Sequence, residues 1–218
     1  MVMTTFIYTS NLEKNRRLPY LFSLWSGYHS AALAVSAFVL LNHWLGNATA
    51  AFGALLFTSM LSLSLGRFVG RLMARGILHM KRLIVTLGTA SLLSGALAVY
   101  GRVLADYLLQ LNWTFWSREG TGTLVACLLF SPPLLLLSAI PPYATAMLIR
   151  RRGSAGSVNG TISAWTAFGY GFGALVTAYY FVNWMDARAV LKSLFVLSLL
   201  LTALGLLRNP PRRKPKRS

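Results

Sequence analysis

Residues 156–178, GSVNGTISAWTAFGYGFGALVTA, decide the fold that this sequence predicts. Small residues recur in the stretch every three or four positions, which is the spacing of one face of an α-helix, and bulky residues lie between them. We call these residues the small-residue stripe: Gly156, Gly160, Ser163, Ala167, Gly171, Ala174 and Ala178. In water, glycine at this density would break a helix, whereas in a bilayer the backbone must hydrogen-bond to itself and glycine lets a neighbouring helix approach closely. The stretch therefore predicts a transmembrane helix with a small-residue packing face.

The small-residue stripe has more than one possible role. It can pack against helices of the same chain, pack against another subunit, or form a sliding or pore-lining face of a transporter, because all of these use the same small side chains. The sequence leaves these alternatives open. If the stripe packs, Gly171→Leu should disrupt packing or assembly, and Phe172→Leu should be mild.

The composition indicates an integral membrane protein. The chain has 218 residues, of which 56% are hydrophobic and 11% charged, and its mean hydropathy is +0.58; soluble domains are typically about 25% charged. There are 21 Lys and Arg residues against four acidic residues, a formal net charge of +17. Because the basic residues cluster at the ends of apolar segments, they favour contact with anionic lipid headgroups and argue against nucleic acid as a partner. The single cysteine, Cys127, excludes an intrachain disulfide and a cysteine-based metal site.

Six apolar segments predict an all-α, polytopic fold with six transmembrane helices. Their predicted bounds are residues 18–45, 47 to about 65, 83–100, a span within 121–149, 156–178 and 189–207. Residues 1–17 are predicted to form an N-terminal tail, residues 18–207 the six-helix transmembrane domain, and residues 208–218 a basic C-terminal tail. A tight turn is expected at Gly46-Asn47. Pro132-Pro133 and Pro141-Pro142 predict that the fourth helix is kinked or broken, because each proline removes a backbone donor.

The positions of the basic residues predict the orientation. The N-terminal tail, the loop at 67–82, residues 150–152 and the C-terminal tail carry most of the Lys and Arg, and six spans place all four segments on one side. The positive-inside rule makes that side cytoplasmic, so both termini are expected in the cytoplasm. Residues 101–120, which include Trp113 and Trp116, are expected to form an interfacial helix at the opposite surface.

Two groups of arginine residues are predicted to contact lipid or a partner. Arg67, Arg71 and Arg75 are four residues apart and so share one face of a helix end. The second group, which follows the fourth span, is Arg150, Arg151 and Arg152. Contact with lipid headgroups is one interpretation of the first group, docking of an acidic partner surface is another, and a transporter gating latch is a third.

No catalytic residue, metal site or cofactor is expected. His29, His43 and His79 fall in a predicted span, near the far interface and in a loop, so they do not form a metal-binding set. His29 is a possible intramembrane polar site, because ionisable groups within spans are functional candidates; the alternative is a neutral histidine that bonds to a carbonyl or a serine. No Asp or Glu lies within a predicted span, which disfavours a proton-coupled or polyamine carrier.

Short motifs are spaced along almost the whole chain. They are LFSLWSG at 21–27, LGNATA at 45–50, SLGR at 64–67 followed by Gly70-Arg71, the prolines at 132, 133 and 141, and GSVNG at 156–160 followed by GYGFGA at 169–174. Their order resembles the membrane half of the fused transporter-like/spermidine-synthase-like proteins of bacteria, over roughly residues 18–207. The resemblance implies a half-major-facilitator-like bundle of six helices in the bacterial cytoplasmic (inner) membrane.

The same resemblance bears on activity. In that family an aminopropyltransferase-like domain follows the membrane half, whereas this sequence contains no glycine-rich nucleotide-binding turn with a downstream acid. It also lacks the acidic residue that the family carries near the end of the first helix, since residues 34–45 include no Asp or Glu. Inherited enzyme activity is therefore not expected.

The predicted function is that of a non-enzymatic integral membrane subunit or anchor of a larger membrane complex. One alternative is a small-solute transporter half that works as a dimer, and another is a membrane partner that recruits a separate spermidine-synthase-like protein. The expected partners are a bilayer with anionic headgroups, other membrane protein subunits and a cytoplasmic protein at the basic loops.

Overall fold

The computed structural model describes residues 17–76, 78–110, 118–152 and 154–208, without the side chains of residues 118, 119, 151 and 152. The described residues form six long helices and no β-strand. The helices are α1 (Leu18–Leu45), α2 (Ala48–Ala74), α3 (Met80–Gln110), α4 (Arg118–Arg152), α5 (Ala155–Val176) and α6 (Ala187–Arg208). α5 continues into a π-helical segment, Thr177–Phe181, and a last turn, Val182–Trp184. The all-α class predicted from the sequence is confirmed.

Five helices are long and apolar enough to cross a membrane, judged by length and composition. They comprise Leu18–Leu45, Ala48–Ala74, Met80–Gln110, Gly120–Arg150 and Ala187–Arg208. α5, which carries the small-residue stripe, is not among them. Its glycines, its hydroxyl residues and Asn159 lower its mean hydropathy.

The turn between α1 and α2 follows from local backbone chemistry. Gly46 ends α1 with a left-handed φ of 65°, which glycine adopts without steric penalty, and its N–H bonds to Asn42 O. Asn47 then caps α2, because its side-chain oxygen accepts hydrogen bonds from the N–H groups of Thr49 at 3.1 Å and Ala50 at 3.2 Å. The predicted turn at Gly46-Asn47 is confirmed.

Two helices are longer than the sequence predicts. α2 ends at Ala74 rather than near residue 65, because its inner face continues through Gly66 and Gly70, which are buried against α4. α3 covers residues 80–110 rather than 83–100, so residues 101–110 extend α3 and do not begin a separate interfacial helix. Trp113 and Trp116 lie outside the described residues.

α4 is one continuous helix from Arg118 to Arg152 despite its two proline pairs. The alternative that this helix is broken is therefore wrong. In an apolar interior no water competes for the backbone groups that proline leaves unbonded, so a helix survives proline there more readily than it does in water.

α1 is the central helix of the bundle, since it contacts each of the other five. α2 packs mainly against α4, α5 against α1, and α6 against α3. The residue pairs in contact along these interfaces show that α1, α3 and α5 run in one direction and that α2, α4 and α6 run in the opposite direction.

The two ends of the bundle differ in charge. The basic end is the end where α1, α3 and α5 begin, and its described basic side chains are Arg17, Arg67, Arg71, Arg75, Lys81, Arg82, Arg150 and Arg208. The opposite end holds both acidic side chains that the structure describes, Asp106 and Asp186, together with Arg102, Arg188 and Lys192. The basic segments that are described therefore share one end of the bundle.

Candidate functional site

His29 lies inside the bundle and joins three helices. Its side chain on α1 has no exposed surface. The ring atom Nδ1 is 2.8 Å from Ser198 Oγ on α6, and Nε2 is 3.1 Å from Ser94 Oγ on α3. The histidine thus bridges two serines that lie far from it in the sequence.

The outer partners of the two serines decide where the protons lie. The indole N–H of Trp25 donates to Ser198 Oγ at 2.7 Å. Ser94 Oγ donates its own proton to Ala90 O at 3.0 Å, so it must accept a proton from His29. A neutral His29 that carries its proton on Nε2 meets this condition, because Nδ1 then accepts the hydroxyl proton of Ser198.

These bonds form one directed series, the His29 chain, which runs from Trp25 through Ser198, His29 and Ser94 to Ala90 O. Each of its polar side-chain atoms has a partner, as burial requires. Ser36, seven residues after His29, differs because its buried hydroxyl has no hydrogen-bond partner among the described residues. The described residues contain no group of three or more His, Cys, Asp or Glu that could hold a metal ion. The His29 chain therefore ties α1, α3 and α6 together, and any further role of His29 stays a prediction.

α5 contacts α1 through glycines that lie outside the small-residue stripe. A Cβ at Gly169 would overlap Leu24 O, and a Cβ at Gly173 would meet the α1 backbone one turn further on. On α1, a Cβ at Gly27 would overlap Thr166 O. The two backbones therefore touch where the helices cross, and this contact requires glycine.

The small-residue stripe faces away from the rest of the described chain. Its members are exposed, apart from Ala174, which is half-buried. No described atom lies within 4 Å of a Cβ placed at Gly156, Gly160 or Gly171. Among the described residues, the stripe therefore does not pack against another helix of the chain. Packing against another subunit stays a prediction.

The buried face of α5 has a mixed composition. It consists of Val158, Ile162, Gly169 and Gly173, and Thr177 continues it into the π-helical segment. Helices that cross at an angle are closest at one point, so they need glycine there and larger side chains where they diverge. An unbroken stripe of small residues would leave voids on both sides of the crossing. A small residue at every turn is therefore the wrong signature for packing against α1.

Aromatic side chains lie beside the stripe on the exposed side of α5. Trp165 and Phe168 are 44% and 64% exposed, and Phe168 stacks on Phe172 with ring centroids 6.1 Å apart. An open depression of about 610 Å³ is lined by Gly160, Thr161, Ala164, Trp165 and Phe168. The stripe and these aromatic residues together form a surface that we call the α5 outer face.

The arginine residues singled out in the sequence lie at the basic end. Arg67, Arg71 and Arg75 are exposed on one face of the last turns of α2. Arg150 is exposed near the end of α4, and its Nη1 donates to Gly76 O at 3.4 Å. The side chains of Arg151 and Arg152 lie outside the described residues. Contact of these arginines with lipid or a partner stays a prediction.

The α2–α4 interface is a second close helix contact, which the sequence analysis missed. A Cβ at Gly66 would overlap Ser138 Oγ, and a Cβ at Gly70 would lie 2.5 Å from Ala139 O. Ser138 Oγ also donates to Ser62 O at 3.0 Å. The signal in the sequence is the four-residue spacing of Ser62, Gly66 and Gly70, which is obscured because arginines alternate with these residues.

Comparisons with known proteins give no relative for this chain. No protein-family model matches it, and no curated protein or solved structure matches it either. The resemblance to the membrane half of the fused transporter-like/spermidine-synthase-like proteins therefore stays a prediction.

Proposed function

We propose that the chain is a non-enzymatic integral membrane subunit of a larger complex and that it docks to a neighbouring subunit through the α5 outer face. One observation carries the proposal. The small-residue stripe has the composition of a close-packing surface, and yet the described chain leaves it uncovered.

The chemistry of the α5 outer face suits a protein neighbour better than lipid. Asn159 and Ser163 are exposed on α5, and polar groups that face acyl chains are costly unless another helix supplies hydrogen-bond partners. The glycines let a second helix approach closely, while Trp165 and Phe168 offer the large contact area that is typical of interface anchors. A partner helix on this face would give hydrogen-bond partners to the polar residues and a contact surface to the aromatic residues.

The proposed arrangement has six spans with both termini on the cytoplasmic side of a bacterial inner membrane. The 22 residues of α5 extend about 33 Å, which is enough to cross a hydrocarbon core of about 30 Å. A partner that covers the polar side of α5 would compensate for its lower hydropathy. The alternating directions of the helices and the concentration of arginine at the basic end support the same arrangement.

The test is a site-specific crosslink in native membranes. A photoreactive residue replaces Phe168 on the α5 outer face, and a matched control replaces Val85, which is 57% exposed on α3. We expect one dominant crosslinked species from position 168 and none from position 85. Because Gly171 has no neighbour in the described chain, Gly171→Leu should abolish the crosslink without lowering the Tm of the purified protein.

The identity of the crosslinked species separates the possible functions. A different membrane protein in stoichiometric amount would support the subunit, whereas a second copy of this chain would favour the dimeric carrier half. A soluble synthase-like protein that copurifies through the basic end, with no crosslink at position 168, would favour the recruiting role. No crosslink at position 168, or equal crosslinking at positions 85 and 168, would contradict the proposed docking face.

A further inference from the structure

Two arginines from different helices converge on the loop between α2 and α3. Arg150, near the end of α4, donates from Nη1 to Gly76 O at 3.4 Å. Arg82, in the first turn of α3, places its Nη1 3.5 Å from the position that a Cβ of Gly76 would occupy. Both guanidinium groups therefore lie against Gly76, whose missing side chain leaves room for them.

The backbone of His79, just before α3, is bonded to α4. The hydroxyl of Tyr143, a side chain that is only 2% exposed, donates to His79 O at 3.0 Å and accepts from His79 N–H at 2.9 Å. Tyr143 belongs to α4, the helix that carries Arg150. These bonds tie the His79 backbone to the helix that carries Arg150.

Neither arginine has a carboxylate partner among the described side chains. The ion pair that the structure shows, Arg102 Nε to Asp106 Oδ2 at 3.7 Å, lies near the opposite end of α3. Asp186 also lies at that opposite end. Two nearby guanidinium groups repel each other unless an anion binds between them, and guanidinium donors match the oxygens of a phosphate group.

We propose that Arg82 and Arg150, with Gly76 between them, bind the phosphate of an anionic lipid headgroup. Leu72 on α2 and Val85 on α3 are exposed, and each lies about one helical turn along the sequence from Gly76 or Arg82. Apolar side chains so close to the arginines in the sequence favour a lipid over free phosphate. The inference rests on the proposed membrane location and not on docking through the α5 outer face.

The test uses the full chain, purified in a neutral detergent and freed of lipid. Its Tm is measured with added phosphatidylglycerol, phosphatidylcholine or inorganic phosphate. We expect phosphatidylglycerol to raise the Tm clearly more than phosphatidylcholine does, because a ligand that binds only the folded state stabilises it. The increase should shrink at high salt, since exposed charges are screened.

Two variants assign the effect to this site. Arg82→Gln combined with Arg150→Gln should lose most of the Tm increase that phosphatidylglycerol causes. Arg102→Gln is the matched control for Arg82→Gln alone, because each removes one positive charge from α3, and Arg102→Gln should keep the increase. If the double glutamine variant does not fold, Arg82→Lys with Arg150→Lys preserves the charge and should retain only part of the increase.

Each other outcome overturns the proposal. An equal effect of phosphatidylcholine would show that the negative charge is irrelevant, and an equal loss in Arg102→Gln would show that only total charge matters. Inorganic phosphate that reproduces the whole increase would identify a free anion as the ligand. No response to any of the three ligands would favour an acidic protein partner. None of these readouts depends on a subunit bound to α5.

Discussion

Both faces of α5 carry glycines at the same spacing, but only one face packs against another described helix. Gly169 and Gly173 are buried where α5 crosses α1, whereas Gly156 and Gly160 lie on the outer face, where no described atom would touch a Cβ. Both pairs are four residues apart, so the sequence of α5 alone does not tell the two registers apart. Gly27 on α1 distinguishes the two registers, because it lets the α1 backbone approach the face of α5 that carries Gly169 and Gly173.

α2 also contains both packed and unpacked glycines. Gly66 and Gly70 are packed against α4, whereas no described neighbour lies within 4 Å of a Cβ placed at Gly53. A glycine in this bundle therefore marks a close contact only when the opposing helix also offers a backbone or a small side chain at that level.

The largest effect is expected at the crossing of α5 and α1. Gly169→Leu should destabilise the chain by about 3 kcal/mol or more, because the new side chain forces two backbones apart. Gly171→Leu, two residues away and exposed, should leave the stability of the isolated chain unchanged. Thermal melting of both variants in detergent measures the difference. Equal losses would mean that the outer face is packed within the chain after all.

A smaller loss is expected at the α2–α4 interface. Gly66→Ala should cost about 2 kcal/mol, since its Cβ would overlap Ser138 Oγ and the α4 backbone. Gly53→Ala on the same helix should be neutral or gain about 0.5–1 kcal/mol from helix propensity. The Tm values of the two alanine variants report on this. A stable Gly66→Ala variant would show that α4 moves away at little cost.

A loss of similar size is expected at the His29 chain. His29→Leu should destabilise the chain by about 1–3 kcal/mol, because Ser198 and Ser94 lose a partner in an apolar interior. Ser36→Ala is the control, since its buried hydroxyl has no bond to lose, and it should be neutral or slightly stabilising. Denaturation followed by the fluorescence of the tryptophans would measure both. A loss in Ser36→Ala that matches the loss in His29→Leu would contradict the assigned bonds.

The smallest effect is expected from the exposed ion pair. Arg102→Gln should change the stability by about 0.5 kcal/mol or less, because Arg102 and Asp106 are both more than half exposed and their attraction is screened. The Tm of this variant at low and high salt tests the estimate. A change as large as that in Gly66→Ala would show that the far end of α3 depends on this pair.

The parts of the fold that depend on local chemistry are predictable from the sequence. The end of α1 follows from Gly46, and the start of α2 follows from the capping side chain of Asn47. The all-α class and five helices suited to a membrane follow from the apolar segments. Arg67 and Arg71 conceal the continuation of α2, because charge at a helix end resembles a loop when only composition is considered.

The candidate sites depend on partners that the local sequence does not reveal. His29 stands out in the sequence as an ionisable residue in an apolar segment, but Ser94 and Ser198 do not, because serine is common in these helices. The stripe on α5 is recognisable as a run of small residues, but the sequence leaves its neighbour open. Choosing the register of α5 requires the three-dimensional position of Gly27, which periodicity alone does not provide.

The His29 chain also sets a limit on proton hopping through the middle of the bundle. It begins at an indole N–H, which does not readily give up its proton, and it ends at Ala90 O, a carbonyl of α3 that does not take one up. A hopping proton must be accepted at one end and released at the other, and neither end of this series does so. His29 is the residue that most suggests a proton relay, but it belongs to a hydrogen-bond series that neither takes up nor releases a proton at its ends.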